Sequence, residues 1–139
     1  MLITNKNNRR RAAHIVECAI AYTVVSLLIF GLIIGGLGVF RYQEVASLAR
    51  EGSRYASLHG DQYHQSTGKP AATAVDVYQN AILPRAVALD SSQLNYNVSW
   101  NPNNAQGSTV TVTVTYHWVP EAFLPSMNLS STSTAVVLY

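Results

Sequence analysis

The sequence predicts an α+β protein in which a long N-terminal helix, membrane-spanning in its first half, packs with a short second helix on a small three-stranded antiparallel sheet. Three observations predict it. Residues 18 to 40, CAIAYTVVSLLIFGLIIGGLGVF, carry no charge and are bounded by Glu17 and Arg41. Residues 41 to 59 continue with a helical stripe of apolar side chains. From residue 94 the apolar period changes from 3.6 to 2.

The uncharged run is long enough to cross a bilayer. At about 1.5 Å per residue it makes a helix of roughly 35 Å, against a hydrocarbon core of about 30 Å. The alternative, a buried core helix, would require the remaining hundred or so residues to wrap a helix that is apolar all round. A single-pass protein with one small exposed domain is therefore expected.

Charge is distributed by position. Lys6, Arg9, Arg10 and Arg11 precede the run, whereas from Arg41 onward five basic residues face six acidic ones, within a net charge of +2. A basic flank stays cytoplasmic and sends the C-terminus outward. The division is thus residues 1–12 as a basic cytoplasmic leader without regular structure, 13–40 as the transmembrane helix and 41–139 as an extracytoplasmic α+β domain. The membrane lipid is one partner, and nothing beyond the span forms a basic nucleic-acid surface. Cys18, the only cysteine, cannot form an internal disulfide, and its apolar setting points to packing.

After the run, Val45, Leu48, Gly52, Tyr55 and Leu58 recur at three- and four-residue spacing, so the helix continues into the domain. Gly52 lies on this inner stripe and permits close approach of another element. Gly31 and Gly35 read equally as a small-residue packing pair or as ordinary glycines of a span. Residues 59–69, HGDQYHQSTGK, read as a polar loop, in which His59, Asp61 and His64 lack the fixed spacing of a metal site. Pro70 suits the first turn of a second helix running to about Leu83, with Ala71, Val75, Tyr78 and Ile82 on one face and Pro84 as its stop.

Leu94, Tyr96, Val98 and Trp100 alternate with polar residues, then Asn101 to Gly107 supply turn formers. Val110, Val112, Val114, Tyr116 and Trp118 alternate with threonine and histidine. This predicts an antiparallel hairpin with one apolar face, both tryptophans included, covered by the long helix and the second helix. Residues 131–139 read as the third strand.

Glu17 is the residue that asks for a role, because a carboxylate in a spanning helix is costly unless it is paired or near an interface. Snorkelling to the headgroups and favouring the helix N-terminus is the simple account. Its context points further. A basic run, the small residues Ala12 and Ala13, and Glu17 ahead of the apolar run resemble a type IV prepilin leader. The resemblance implies a cut between Ala12 and Ala13 by a prepilin peptidase, leaving Glu17 as the fifth residue, able to neutralise the new amino terminus of a neighbouring subunit.

Residues 13 to 19, AHIVECA, and the segment Ala49-Arg50-Glu51-Gly52-Ser53-Arg54 resemble two signatures of TadE-like proteins, minor pilins or pseudopilins of bacterial tight-adherence (Tad) pili. The match covers roughly residues 9 to 57. Ala12 stands where the peptidase prefers glycine, Cys18 replaces an aromatic residue, and Thr23 occupies a position where many relatives carry proline. The resemblance implies a pilin-like fold and a single-pass protein of the bacterial inner membrane. It implies other pilins or pseudopilins, the Tad assembly platform and the peptidase as partners, with Arg50, Glu51, Gly52 and Arg54 as the family motif after the span.

The sequence contains no phosphate loop, nucleophile elbow or HExxH motif, so the chain is expected not to be an enzyme and to need no cofactor, metal or small-molecule substrate. The competing reading is an uncleaved, signal-anchored envelope protein whose outer module binds a ligand or partner.

Overall fold

A computed structural model describes residues 6–120 and 125–139, with side chains described from residue 13 onward. The chain divides into two compact units, the first ending at Leu37 and the second covering Gly38–Tyr139. The architecture is α+β, with a long N-terminal helix, short helical segments and a three-stranded antiparallel sheet.

Helix α1 spans Lys6–Leu58, 53 residues. Residues 6 to 12, expected to lack regular structure, are helical, while residues 1 to 5 of that leader lie outside the described residues. Helix propagation accounts for the difference: each residue added to an existing helix gains a hydrogen bond without repeating the nucleation cost.

In the second unit α1 lies across the sheet. The strands are β1 (Leu94–Asn101), β2 (Thr109–Trp118) and β3 (Met127–Val136), in the order β1-β2-β3. Two close approaches set the direction of crossing. A Cβ on Gly38 would lie 2.8 Å from the Trp118 ring, and one on Gly52 would lie 3.0 Å from Val112 Cγ1. Fourteen helical residues rise about 21 Å, and six strand residues about 20 Å, so α1 runs antiparallel to β2 over this distance.

The buried stripe of α1 is Val45, Ala46, Leu48, Ala49, Gly52, Ser53, Ala56 and Ser57. The expected stripe is correct at Val45, Leu48 and Gly52, but Tyr55 is half-buried and Leu58 is 41% exposed. Small residues took their place because β3 presents Ser131, Ser133 and Ala135 on the same side, opposite Val114, Val112 and Val110. Two small surfaces can approach closely, and Ser53 Oγ lies 2.9 Å from Ser133 Oγ. Since the Ser53 hydroxyl already donates to the Arg50 carbonyl, Ser133 is the donor in that pair.

Val110, Val112 and Val114 are fully buried and Trp118 is nearly so, in agreement with the period-2 reading. Trp100 is only half-buried. The third strand corrects the expected span of 131–139. Its register against β2 pairs Trp118 with Met127 and Thr109 with Val136. Beyond it the tail turns onto the end of α1, where the Leu138 and Tyr139 amides donate to the Ser57 carbonyl. Those donors are no longer available to a ladder.

The region 59–85 departs most from expectation. The predicted polar loop contains a helix, α2 (Asp61–Thr67), begun at Gly60 and closed by Gly68 at φ +72°. That left-handed C-cap favours glycine. The second helix starts at Ala74, not Pro70. Thr73 and Asp76 form a capping box, with Thr73 Oγ1 and the Thr73 amide both donating to Asp76 Oδ2. Helix α3 (Ala74–Val77) then widens into a π-helical turn over Tyr78–Ile82 and tightens into a 3₁₀ turn, Leu83–Arg85. Ile82 is buried as expected, together with Val77 and Ala81, while Val75 of the expected face is exposed.

Candidate functional site

The first unit offers an uncovered apolar surface. Every residue from Ala13 to Ile33 except half-buried Cys18 is exposed, including Ile15, Val16, Ile20, Leu27, Leu28 and Phe30. The helix is long and apolar enough to cross a membrane, and none of its most apolar window is buried within the chain. A shallow groove on it is lined by Ile15, Val16, Ala19, Ile20, Thr23 and Val24.

Glu17 is exposed at the start of this surface and has no hydrogen bond or ion pair among the described residues. It lies eleven positions after Lys6, the first helical residue, and so about three turns into α1. The favourable dipole is felt only within the first turn, so the intact helix does little for this carboxylate. A chain beginning at Ala13 would return Glu17 to the first turn or so. The bond between Ala12 and Ala13 lies inside α1. Ala13 is exposed.

Cys18 Sγ lies 3.1 Å from His14 Nδ1, one turn earlier on the same helix. Thr23 Oγ1 donates to the Ala19 carbonyl, satisfying its hydroxyl within the helix.

Arg50, Glu51, Gly52 and Arg54 do not converge on one site. Gly52 faces inward against Val112 and Ile82, while Arg50 and Arg54 are exposed. Glu51 meets Arg85 at 3.5 Å, tying α1 to the 3₁₀ turn. Both side chains are substantially solvated, so the pair contributes little stability. The segment Ala49-Arg50-Glu51-Gly52-Ser53-Arg54 is thus a packing seam with charges on its outer side.

Sequence reasoning missed an aromatic column at the far end of α1. Tyr55 stacks on His59 with ring centroids 4.0 Å apart, and His59 meets Tyr63 of α2 at 4.6 Å. His59 Nδ1 donates to the Tyr55 carbonyl, so the ring is held in one orientation. With Lys69, Pro70, Ala72 and Asp76 these residues line an open pocket of about 280 Å³. Hydrogen bonds from the Thr73 hydroxyl and amide hold the Asp76 carboxyl below the usual carboxylate range, so it is charged at neutral pH. The four-residue spacing of Tyr55, His59 and Tyr63 was visible in the sequence, and so was the Thr73-x-x-Asp76 capping pattern. Among the described residues no group of three or more metal-binding side chains converges.

No family model, no curated protein and no solved structure matches the chain.

Proposed function

We propose that this chain is a membrane-anchored pilus-assembly subunit of the TadE-like minor pilin or pseudopilin kind. In this reading it sits in a bacterial inner membrane with its N-terminus cytoplasmic and its C-terminal domain outside, and a prepilin peptidase cleaves it after Ala12. The observation that carries the reading is the uncovered apolar stretch of α1, which holds one carboxylate, Glu17, and runs without a break into a small α+β unit. Such a helix is suited first to lipid and then to the same stretch of neighbouring subunits, since both are apolar environments. Packing among helices would leave Glu17 without water, and a partner charge then becomes necessary. The amino group exposed at Ala13 of a neighbour supplies one. Other pilins and the Tad assembly platform are the partners, and no enzymatic activity is assigned.

The test is the mature N-terminus, measured by mass spectrometry on protein from its native membrane with and without the host prepilin peptidase. A peptidase-dependent start at Ala13 is expected. A start at Met1 or Leu2 under both conditions overturns the pilin pathway. The second reading, an uncleaved anchored module that binds a ligand or partner, is favoured by one observation, the open pocket between the Tyr55–His59–Tyr63 column and Asp76.

A further inference from the structure

The second unit carries exposed apolar side chains at one end of its sheet, and three contacts fix their level along α1. The Gly38 backbone lies against the Trp118 ring. Arg41 Nη1 donates to the Ala88 carbonyl at 2.9 Å, and the Ala88 amide donates to Glu44 Oε1 at 3.1 Å. Tyr116 is placed at the same level, with the Arg41 guanidinium 5.9 Å above its ring centroid. Residues 38 to 44 of α1 are thereby level with the end of β2, the start of β3 and the segment following the 3₁₀ turn.

At that level the chain leaves apolar residues bare. Val87, next to the clamped Ala88, is 88% exposed, the highest value among the large apolar residues described. Val119 follows Trp118 and is 59% exposed, and Met127, paired with Trp118 in the sheet register, is 43% exposed. Phe40 and Tyr42, which flank Arg41 on α1, are exposed as well. Among the described residues, Asp90 to Gln93 form a polar stretch, with Asp90 Oδ1 accepting from the Ser92 amide and hydroxyl.

We infer that the rim formed by Val87, Val119 and Met127 seats the domain on the membrane surface, at the boundary between headgroups and acyl chains. The inference rests on the reading of α1 as a membrane span. If the uncharged run ends at Phe40, the bilayer boundary lies at Phe40 and Arg41. The Arg41 and Glu44 clamp on Ala88 and the Gly38 contact with Trp118 then put the rim at that same boundary. The occupant is lipid because the rim is level with Phe40 and Arg41, where the uncharged run ends. Its mixture of bare apolar residues and a polar sector is what an interfacial layer accepts.

The test uses the full chain, in a Cys18→Ser background, reconstituted into phosphatidylcholine–phosphatidylglycerol vesicles that contain nitroxide-labelled lipid. An environment-sensitive fluorophore is attached at Val87→Cys or Val119→Cys. Leu28→Cys reports the span, and Val75→Cys reports an exposed valine beside Asp76 of the distal pocket. Loss of fluorescence at Leu28, Val87 and Val119 but not at Val75 is expected. Loss at Leu28 with Val87 and Val119 as unquenched as Val75 overturns the seating and leaves the span intact. No loss at Leu28 refutes the membrane reading, and the seating falls with it.

Discussion

Replacing Gly60 with alanine would drive a methyl group into the junction where the end of α1, the β1–β2 connection and the C-terminal tail meet. The added Cβ would lie 2.6 Å from the Tyr139 carbonyl oxygen, 2.6 Å from Val137 Cγ1 and 2.7 Å from the Asn104 carbonyl oxygen. Backbone conformation is not the obstacle, since φ −83° and ψ −161° are open to any residue. The obstacle is that two of the three neighbours are backbone and are tied to this junction. The Gly60 amide donates to Tyr139 at 2.7 Å and the Asp61 amide donates to Asn104 at 3.0 Å. Relief requires moving both carbonyls, at about 0.5–1.5 kcal/mol for each hydrogen bond lost. Crowding of buried Val137 adds about 1–3 kcal/mol. Restriction of the unfolded chain by alanine offsets about 0.4–1 kcal/mol. The net expectation is a loss of about 3 kcal/mol, which for a domain of this size lowers the unfolding midpoint by at least about 10 °C. The assay is thermal unfolding of the full chain in detergent micelles, followed by the near-ultraviolet signal of Trp100 and Trp118. Gly35→Ala is the comparison, because its Cβ would meet nothing within 4 Å. A Gly60→Ala protein that melts with the parent refutes the steric reasoning.

Two further predictions concern Asp76 and Glu17. Thr73→Ala removes the side-chain half of the capping box, and the expected cost is about 1 kcal/mol by urea unfolding. The folded Asp76 carboxyl titrates below its unfolded value of 3.8, so its stabilising contribution is present above that pH. That contribution is lost as pH falls through the depressed value. Carboxyl chemical shifts should show the Asp76 midpoint moving up toward 3.8 in Thr73→Ala, and an unchanged midpoint would contradict the assignment. Glu17→Gln is expected to leave membrane insertion intact while reducing the amount of chain recovered in sheared filaments, and normal recovery counts against charge pairing.

What could be read before the fold was known depended on whether a signal was local. The uncharged run ending at Phe40 and the alternation of Val110, Val112 and Val114 are local, and α1 and β2 follow them. Gly52 was legible too, because a glycine on an apolar helical stripe implies a close neighbour, found in Val112 and Ile82. Leu58 misled because hydrophobicity ranks a side chain without saying whether a partner is there. Ser53 and Ser57 were overlooked because their partners, Ser133 of β3 and the amides of Leu138 and Tyr139 in the tail, lie some eighty positions away.

The sequence by itself determined the long helix, the hairpin of β1 and β2, and which face of that hairpin is apolar. Those properties follow from side-chain period within a few residues of chain. Only the tertiary structure decided where β3 begins, that Val77 and not Val75 is buried, and which segment Arg41 and Glu44 hold. It also decided that the space at Gly60 is limited by backbone and side-chain neighbours while its backbone angles are open to any residue. Each of these depends on groups brought together from distant parts of the chain, where hydrogen bonds such as those from Arg41 to Ala88 and from Leu138 to Ser57 select one register among several that the local pattern allows.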